Sequence, residues 1–313
     1  MIIVQIIGLL VGFLMLVKGA DWFVEGTARI AQKLGIPQLV VGLTIVAMGT
    51  SAPEAAVSIT AALKGNAGIT IGNVVGSNIL NILIILGITA VIATMRIQKS
   101  TFCMEIPYMI AITGVLLVMG LDGNITFVEG IILWVLFLTY LFYLFVLAKK
   151  GGKINETDAE PERKEERGFL KLLLFAVVGG IIVVWGSDVT VDAATAIAKM
   201  AGLSERFIGL TIVAFGTSLP ELVTSVTAAR KGNADIAIGN IVGSNIFNIL
   251  FVIGTTALIT PVVFEATFIV DTIIAILAGV LLWVSVAKTR SLKRFWGVVM
   301  LFCYAGYFAY LLF

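Results

Sequence analysis

The sequence predicts an all-α polytopic membrane protein with ten transmembrane helices, arranged as two inverted five-helix repeats. Composition gives the first observation: 59% of the 313 residues are apolar, 13% are charged, and the mean hydropathy is +1.09. Soluble domains are about 25% charged, so this chain has too few polar groups to cover a water-exposed surface. Lipid leaves the backbone no external hydrogen-bond partner, so we expect its apolar segments to be helices. An internal duplication is the second observation, and it predicts the arrangement.

Ten segments are long and apolar enough to cross a bilayer, which takes roughly 20 residues. They are residues 2–24, 37–63, 69–93, 102–121, 125–148, 169–198, 206–229, 236–260, 267–287 and 295–313. A charged stretch without an apolar face separates the fifth segment from the sixth, and we expect it to be a mobile aqueous loop. The chain therefore divides into a first repeat at 1–148, a cytoplasmic loop at 149–168 and a second repeat at 169–313.

The orientation follows from the basic residues, which concentrate in cytoplasmic loops of membrane proteins. With the amino terminus outside, the inner connections hold 17 of the 21 Lys and Arg residues. The outer connections hold only Lys64, Lys199 and Arg206, while Lys18 lies within the first span. We therefore expect a multi-pass protein of the cell (inner) membrane with both termini outside the cytoplasm.

Composition also excludes several classes of function. Histidine is absent, which excludes a Ser-His-Asp triad, a His-ligated zinc site and a His-held haem. Cys103 and Cys303 are far apart and fit no metal or redox spacing. The basic residues are scattered, so no nucleic-acid partner is expected. We expect no enzyme activity, no cofactor and no obligate protein partner. The lipid bilayer is the expected surrounding of the chain.

Residues 42–81 and 209–248 are two copies of one motif. They align without a gap at an offset of 167 residues and are identical at 29 of 40 positions. The matches include Gly, Thr, Ser, Pro, Glu and Asn residues, which apolar segments do not share by chance. Each half contributes five spans, an odd number, so the second half enters the membrane from the opposite side. Such inverted repeats are typical of secondary transporters, whose binding site lies near mid-membrane.

Each copy places a glutamate in the middle of a span, Glu54 in the second and Glu221 in the seventh. A charged side chain at mid-bilayer costs about 2.5–3.5 kcal/mol on insertion scales. Two such carboxylates brought together by the pseudo-twofold axis would also repel one another. Either a cation lies between them or at least one of them is protonated.

A proline precedes each glutamate and is expected to kink the helix. Pro53 removes the helical partner of the Gly49 carbonyl, and Pro220 acts in the same way in the second copy. We expect the carbonyls around 47–50 to be left free as cation ligands. The spacing i, i+3, i+7 should place a threonine and a carbonyl on the face of the glutamate of the same repeat, namely Ala47, Thr50 and Glu54, and Ala214, Thr217 and Glu221.

The third and eighth spans carry a polar stripe at i, i+4 and i+8. It consists of Asn73, Ser77 and Asn81 in the first copy and Asn240, Ser244 and Asn248 in the second. We expect each serine to flank the glutamate of its own repeat. All candidate ligands are oxygen atoms, which suit calcium at 6–8 coordination and sodium in smaller sets. The chain offers no imidazole or paired thiolates for zinc, copper or iron.

The remaining membrane acids are weaker candidates. Four lie towards span ends, where solvent or helix caps can serve them: Asp21, Glu25, Asp188 and Asp192. Four others are interpreted as interfacial: Glu105, Glu129, Glu265 and Asp271.

The strings GTSAPE and GNVVGSNILN in the first copy, and GTSLPE and GNIVGSNIFN in the second, closely resemble the alpha-repeats of the calcium/cation antiporter superfamily. The closest similarity is to prokaryotic sodium/calcium exchangers, and it covers the whole chain. The resemblance implies electrogenic exchange of calcium for sodium by alternating access, in which the first and sixth spans slide against the other eight. The transported ions it implies are calcium and sodium, with the proton as an alternative to sodium.

The resemblance also implies the site residues. Glu54 and Glu221 match the paired calcium-binding glutamates, and Asn81 matches the amide at the centre of the site. The other matching ligands are Thr50, Thr217, Ala47 and Ala214, the sodium-site serines Ser77 and Ser244, and the nearby motif serines Ser51 and Ser218. Asn248 is a departure, because some archaeal exchangers have an acid there.

Three alternatives stay open at this point. A calcium/proton antiporter would use the two glutamates to carry protons, although the hydroxyls of Ser77 and Ser244 favour sodium. A cation channel would conduct without a counter-ion, which inverted repeats with an odd helix count disfavour. An intramembrane enzyme would need a nucleophile paired with a base, and the sequence shows none.

Overall fold

The computed structural model describes residues 2–33, 47–151, 168–230 and 234–312. We number ten helical units, several of which are built from consecutive α- and π-helical segments. The first half contains α1 (Ile2–Lys33), α2 (Ala47–Thr50, Ala52–Leu63), α3 (Ala67–Leu80, Asn81–Leu86, Gly87–Ile92), α4 (Thr101–Glu105, Ile106–Met119) and α5 (Phe127–Gly151). The second half contains α6 (Phe169–Ala201), α7 (Glu205–Ile208, Gly209–Val213, Ala214–Thr217, Leu219–Arg230), α8 (Ala234–Phe247, Asn248–Ile253, Gly254–Ile259), α9 (Thr267–Ala287) and α10 (Arg294–Leu312).

The helices confirm an all-helical polytopic membrane protein. Within the described ranges, eight helices are long and apolar enough to cross a membrane, and the bent unit α7 is a ninth if its two parts form one span. The described part of α2 is shorter, because residues 37–46 of the predicted second span lie outside the described residues. The predicted loop at 149–168 is described only at its two ends, since α5 runs to Gly151 and the description resumes at Gly168.

Two helices extend further than their apolar segments predict. α1 continues to Lys33 rather than ending near residue 24, and α6 has 33 residues. At 1.5 Å per residue α6 is about 50 Å long, well beyond the roughly 30 Å of a bilayer core. The extension of α1 carries an ion pair between Arg29 and Glu25, at i and i+4 and 3.0 Å apart, which is the spacing that stabilises exposed helix turns.

Two short antiparallel ribbons join loops of the two halves, one ribbon on each face of the bundle. β1 (Met95–Arg96) pairs with β4 (Ser291–Leu292), and β2 (Asn124–Ile125) pairs with β3 (Val262–Val263). The first ribbon joins the loops after α3 and α9, and the second joins the loops after α4 and α8. An alternating path of ten helices places the members of each ribbon on the same face. The ribbons therefore agree with the inverted five-plus-five arrangement.

The centre of the bundle is formed by α3 and α8. Each is buried along most of its apolar length, whereas α1, α5, α6 and α10 present most of theirs to the outside. Both central helices contain a π-helical segment at equivalent positions, Asn81–Leu86 and Asn248–Ile253. Such π-bulges interrupt the α-helical hydrogen bonding and are frequent at functional sites.

α1 and α6 pack backbone against backbone at glycines. A Cβ atom added to Gly19 would lie 2.9 Å from the carbonyl oxygen of Gly179, and one added to Gly186 would lie 3.0 Å from the backbone nitrogen of Leu16. Only glycine permits this approach, as at small-residue interfaces of other membrane helices. Gly19 and Gly186 are equivalent positions of the two repeats, so the pairing follows the pseudo-twofold symmetry.

Candidate cation-binding site

α2 and α7 are both broken at a serine. Ser51 has φ −89° and ψ 8°, and Ser218 has φ −83° and ψ 8°, which places both in the bridge region between helix and strand. Each helix restarts at the next residue with a proline in its first turn, where the missing N–H costs nothing. The two parts of α7 meet at a bend of 44°. The predicted kink is therefore confirmed, and it is a complete break.

The break places each glutamate in the first turn of a new helix. Glu54 lies in the first turn of Ala52–Leu63, and Glu221 lies in the first turn of Leu219–Arg230. Unpaired N–H groups and the helix dipole make this end of a helix favourable for a carboxylate. Both glutamates are fully buried.

The two serines at the breaks bind the glutamates of the opposite repeat. The Ser218 hydroxyl donates to Glu54 Oε1 over 2.9 Å, and the Ser51 hydroxyl donates to Glu221 Oε1 over 2.8 Å. These crossed hydrogen bonds tie α2 to α7 at the centre of the bundle. They place Ser51 and Ser218 in direct contact with the candidate ligands.

The threonines cross between the repeats as well. The Thr50 hydroxyl donates to Asn240 Oδ1 over 3.2 Å, and the Thr217 hydroxyl is 3.0 Å from Asn73 Oδ1. Thr217 also faces Glu54, as Thr50 faces Glu221. The hydrogen bonds of both threonines therefore lead to the opposite repeat, and the expectation that each also shares a face with the glutamate of its own repeat stays a prediction.

The serines of the central helices do flank the glutamates of their own repeats. The Ser77 hydroxyl lies 3.5 Å from Glu54 Oε1, and the Ser244 hydroxyl lies 3.3 Å from Glu221 Oε1. Ser77 also contacts Ser218 over 3.1 Å between the two hydroxyl oxygens. Both central serines are fully buried, so they lie at the glutamates as the polar stripe predicts.

The alanine carbonyls are only partly as expected. The Ala214 carbonyl accepts the Ser218 N–H over 3.1 Å and lies 3.3 Å from the Thr217 hydroxyl. The proline argument predicted a carbonyl without a partner, and for Ala214 this is wrong. The helix closes one more turn before it breaks, so the Ala214 carbonyl keeps a hydrogen bond. Ala47 is the first described residue of α2.

Two asparagines at the site were not singled out by the sequence. Asn78 accepts a hydrogen bond from Asn248 over 3.1 Å, and Asn245 accepts one from Asn81 over 2.9 Å. The stripe at i, i+4 and i+8 passed over Asn78 and Asn245, which lie one residue beyond Ser77 and Ser244. Their identity in both copies of the motif was the signal that pointed to them.

Four buried acceptor oxygens have no hydrogen-bond partner within the described part of the chain: Glu54 Oε2, Glu221 Oε2, Asn81 Oδ1 and Asn248 Oδ1. Leaving such groups unpaired is costly, particularly for charged ones. They come from the four central helices α2, α3, α7 and α8, and two of them carry negative charge when ionised. No group of three or more Asp, Glu, His or Cys side chains that could hold a metal ion occurs among the described residues. The arrangement therefore suits a cation held by two carboxylates and neutral oxygens.

The weaker candidates lie away from this centre. Lys64, at the end of α2, pairs with Asp188 and Asp192 of α6 at 3.0 and 2.9 Å. Asp271 is fully buried, and Arg206 binds both of its carboxylate oxygens at 2.7 and 2.8 Å. Arg206 lies 65 residues away along the chain and is not visible in the local sequence, and the interfacial depth of Asp271 stays a prediction.

Glu105 and Glu129 are two of the other three acids that are interpreted as interfacial. Glu105 is buried within the protein, with 6% of its surface exposed, and its depth in the membrane stays a prediction. Glu129 is exposed and accepts the Thr126 N–H over 2.6 Å at the start of α5, as expected of an interfacial residue that caps a helix.

The family model described as sodium/calcium exchanger protein matches two segments of the chain, residues 4–146 and 171–313. The chain belongs to this family. It is 38% identical over 320 residues to the putative antiporter CaxA of Alkalimonas amylolytica, covering 99% of both chains. It is 33% identical over 351 residues to the sodium/calcium exchanger MaX1 of Methanosarcina acetivorans, covering 98% of both.

A solved structure shows the same fold. The sodium-calcium exchanger NCX_Mj, soaked with 10 mM Na⁺ and zero Ca²⁺, superimposes with a TM-score of 0.69 at 33% sequence identity, covering 99% of each chain. The family and this structure identify the chain as a multi-pass membrane antiporter of calcium and a second cation.

Proposed function

We propose that this exchanger moves calcium against sodium across the cell (inner) membrane by alternating access, with Glu54 and Glu221 as the central ligands. One observation carries the proposal. Each buried carboxylate has one oxygen bound by a serine of the opposite repeat, at 2.8 and 2.9 Å. The second oxygen of each lacks a partner among the described residues, and so is available to a cation.

The charge of the site explains why transport is an exchange. Two carboxylates in a region of low dielectric constant carry a large desolvation cost when they are not neutralised. One calcium ion or two sodium ions supply the same compensating charge. The protein can therefore change between its outward-facing and inward-facing conformations more easily with a loaded site than with an empty one. Calcium and sodium share the glutamates, so sodium should exclude calcium by charge rather than by bulk.

Neutral oxygens complete the proposed coordination. The hydroxyls that donate to the glutamates keep lone pairs with which they can bind a cation. We propose that they serve sodium and calcium together with amide and carbonyl oxygens. The residues in this supporting set are Thr50, Thr217, Ala47, Ala214, Ser51, Ser218, Ser77, Ser244, Asn81 and Asn248. Four serine hydroxyls around two glutamates favour sodium over the proton as coupling ion, because protonation of a carboxyl needs no such ligands.

The orientation and division of the chain belong to the same proposal. Both termini lie outside the cytoplasm, the repeats are 1–148 and 169–313, and the loop at 149–168 is cytoplasmic. The ribbon of β1 and β4 supports this assignment, because it places Arg96 and the basic loop at 288–294 on one face. Basic residues favour the cytoplasmic face.

Neutralising one glutamate tests the two-carboxylate site. Glu54→Gln and Glu221→Gln keep the size of each side chain but remove one charge, which leaves a calcium ion half-neutralised. Each variant should lose calcium uptake in reconstituted vesicles by at least about a hundredfold, because one uncompensated charge in a buried site costs several kcal/mol. Glu129→Gln, at the exposed start of α5, is the matched control and should transport normally. Wild-type transport by either site variant would overturn the proposal.

A further inference from the structure

Asn78 and Asn245 hold one another by a reciprocal pair of hydrogen bonds. The Asn78 side-chain amide donates to the main-chain carbonyl of Asn245 over 3.2 Å, and the Asn245 amide donates to the carbonyl of Asn78 over 3.1 Å. The two residues are separated by the repeat offset of 167, so the pair lies on the pseudo-twofold axis. Both side chains are buried, with at most 3% of their surface exposed.

This pair fixes which end of each amide points where. A main-chain carbonyl only accepts hydrogen bonds, so it must be met by the Nδ2 group of the asparagine. The Oδ1 atoms of Asn78 and Asn245 are therefore directed to the other side of their amides. Asn248 donates to the first of these oxygens over 3.1 Å, and Asn81 donates to the second over 2.9 Å.

The amides of Asn81 and Asn248, in the middle of the site, are oriented by these contacts in turn. If the Asn81 amide turned over, its oxygen would face the oxygen of Asn245, and two acceptors would be in contact. The same holds for Asn248 against Asn78. Each middle amide must therefore direct its oxygen away from the pair. These two oxygens are the amide acceptors that have no partner among the described residues.

We propose that Asn78 and Asn245 are positioning residues that lock Asn81 and Asn248 with their oxygens towards the transported cation. This inference rests on the proposed function, because it requires cations to bind beside Glu54 and Glu221. An unlocked amide presents its N–H₂ group as readily as its oxygen. The N–H₂ group carries partial positive charge and repels a cation, so an amide that can turn over weakens binding.

The test compares Asn78→Ala in two backgrounds, using calcium-45 uptake by purified protein in vesicles and its half-saturating calcium concentration. In the wild-type background, Asn78→Ala should raise this concentration about three- to tenfold, as expected for the loss of one orienting hydrogen bond. In the Asn248→Asp background it should have no effect or lower the concentration. A carboxylate presents an oxygen whichever way it turns, so there is no orientation left to fix.

A structural role alone predicts a different pattern. If Asn78 only supported packing, Asn78→Ala would weaken calcium binding by the same factor in both backgrounds. That result, or an unchanged half-saturating concentration in the wild-type background, would overturn the inference and leave the exchange function standing. A wild-type protein that takes up no calcium would contradict the exchange function itself.

The pseudo-symmetric pair supplies a second, independent measurement. Asn245→Ala should weaken calcium binding in the wild-type background and not in the Asn81→Asp background. Thermal unfolding in detergent shows whether Asn78→Ala folds. If it does not, the comparison of Asn245→Ala in the two backgrounds still decides the question. Equal effects of Asn245→Ala in both backgrounds would contradict the inference.

Discussion

Lys64 Nζ lies 2.9 Å from Asp192 Oδ1 and joins the end of α2 to α6. Asp188 completes the contact at 3.0 Å, and Asn66 donates to Thr195 of α6 over 2.9 Å one turn further on. Partial burial would lower the pKa of Lys64, but its hydrogen bonds to Asp192 and Asp188 outweigh this effect and raise the pKa above its usual value. Lys64 therefore stays charged at physiological pH, and the contact persists.

The first prediction concerns this contact as a latch on the proposed external face. α6 packs tightly on α1. Any movement of these two helices past α2 must therefore break the bonds between Lys64 and the aspartates of α6. Thr60 lies one turn before Lys64 on α2, and its hydroxyl is 2.9 Å from that of Ser187 on α6. Lys64→Gln should increase thiol labelling of Thr60→Cys from outside by about two- to fivefold, since partly exposed ion pairs contribute about 0.2–1 kcal/mol each. The labelling is measured after replacing Cys103 and Cys303 with serine. Lys199→Gln is the control, and equal labelling in both variants would contradict the latch.

The second prediction concerns the packing of α1 against α7. The ring of Phe13 packs against Gly216, next to the break, so closely that a Cβ atom added there would overlap it. Gly216→Ala should reduce calcium uptake at least about tenfold, because overpacking of this kind costs about 1–3 kcal/mol. Adding Phe13→Ala should restore most of the loss. Gly114→Ala is the control, since a Cβ there meets no described atom within 4 Å. Failure of the second substitution to restore uptake would contradict this packing.

The third prediction concerns the buried ion pair between Arg206 and Asp271. Tyr307 also donates to Asp271 over 3.1 Å, so the carboxylate is fully bound. Arg206→Leu leaves a buried charge unpaired, which costs about 3–5 kcal/mol, and should lower the unfolding temperature in detergent by roughly 5–10 °C. Arg206→Leu combined with Asp271→Leu should recover part of the loss. Arg29→Leu, in the partly exposed pair on α1, should change it little. If the double variant unfolds below the single one, the pair is not the cause.

The fourth prediction concerns orientation. In a protein without Cys103 and Cys303, Asn155→Cys should be protected from a membrane-impermeant thiol reagent added to intact cells. A cysteine appended after Phe313 should be labelled. The reverse pattern would contradict the argument from basic residues and invert the proposed sides of the membrane.

The sequence predicts the helices and the two buried glutamates well, and the hydrogen-bond partners of individual side chains less well. Glu54 and Glu221 stand out because burying an ionisable group in an apolar span costs free energy, which a bound cation or a proton must compensate. The crossing of Ser51 to Glu221 and of Thr50 to Asn240 was missed, because spacing within one repeat does not tell which side chains meet across the axis. Arg206 and Asp271 were missed for the same physical reason: only folding brings them together.

The orienting role of Asn78 shows the same limit in another form. Its identity in both copies was visible, but an asparagine next to a polar stripe fits many environments. The orientation of its amide depends on a main-chain carbonyl 167 residues away. No periodicity along one helix carries that information.

The exchange of calcium for sodium is tested most directly by calcium-45 uptake into sealed vesicles that contain the purified protein. Uptake is compared under an outward sodium gradient, an outward proton gradient and no gradient, at equal ionic strength. Calcium should accumulate under the sodium gradient, little under the proton gradient, and not at all in vesicles with the Glu54→Gln variant. Accumulation that follows the proton gradient and does not respond to sodium would contradict sodium coupling and establish calcium/proton exchange.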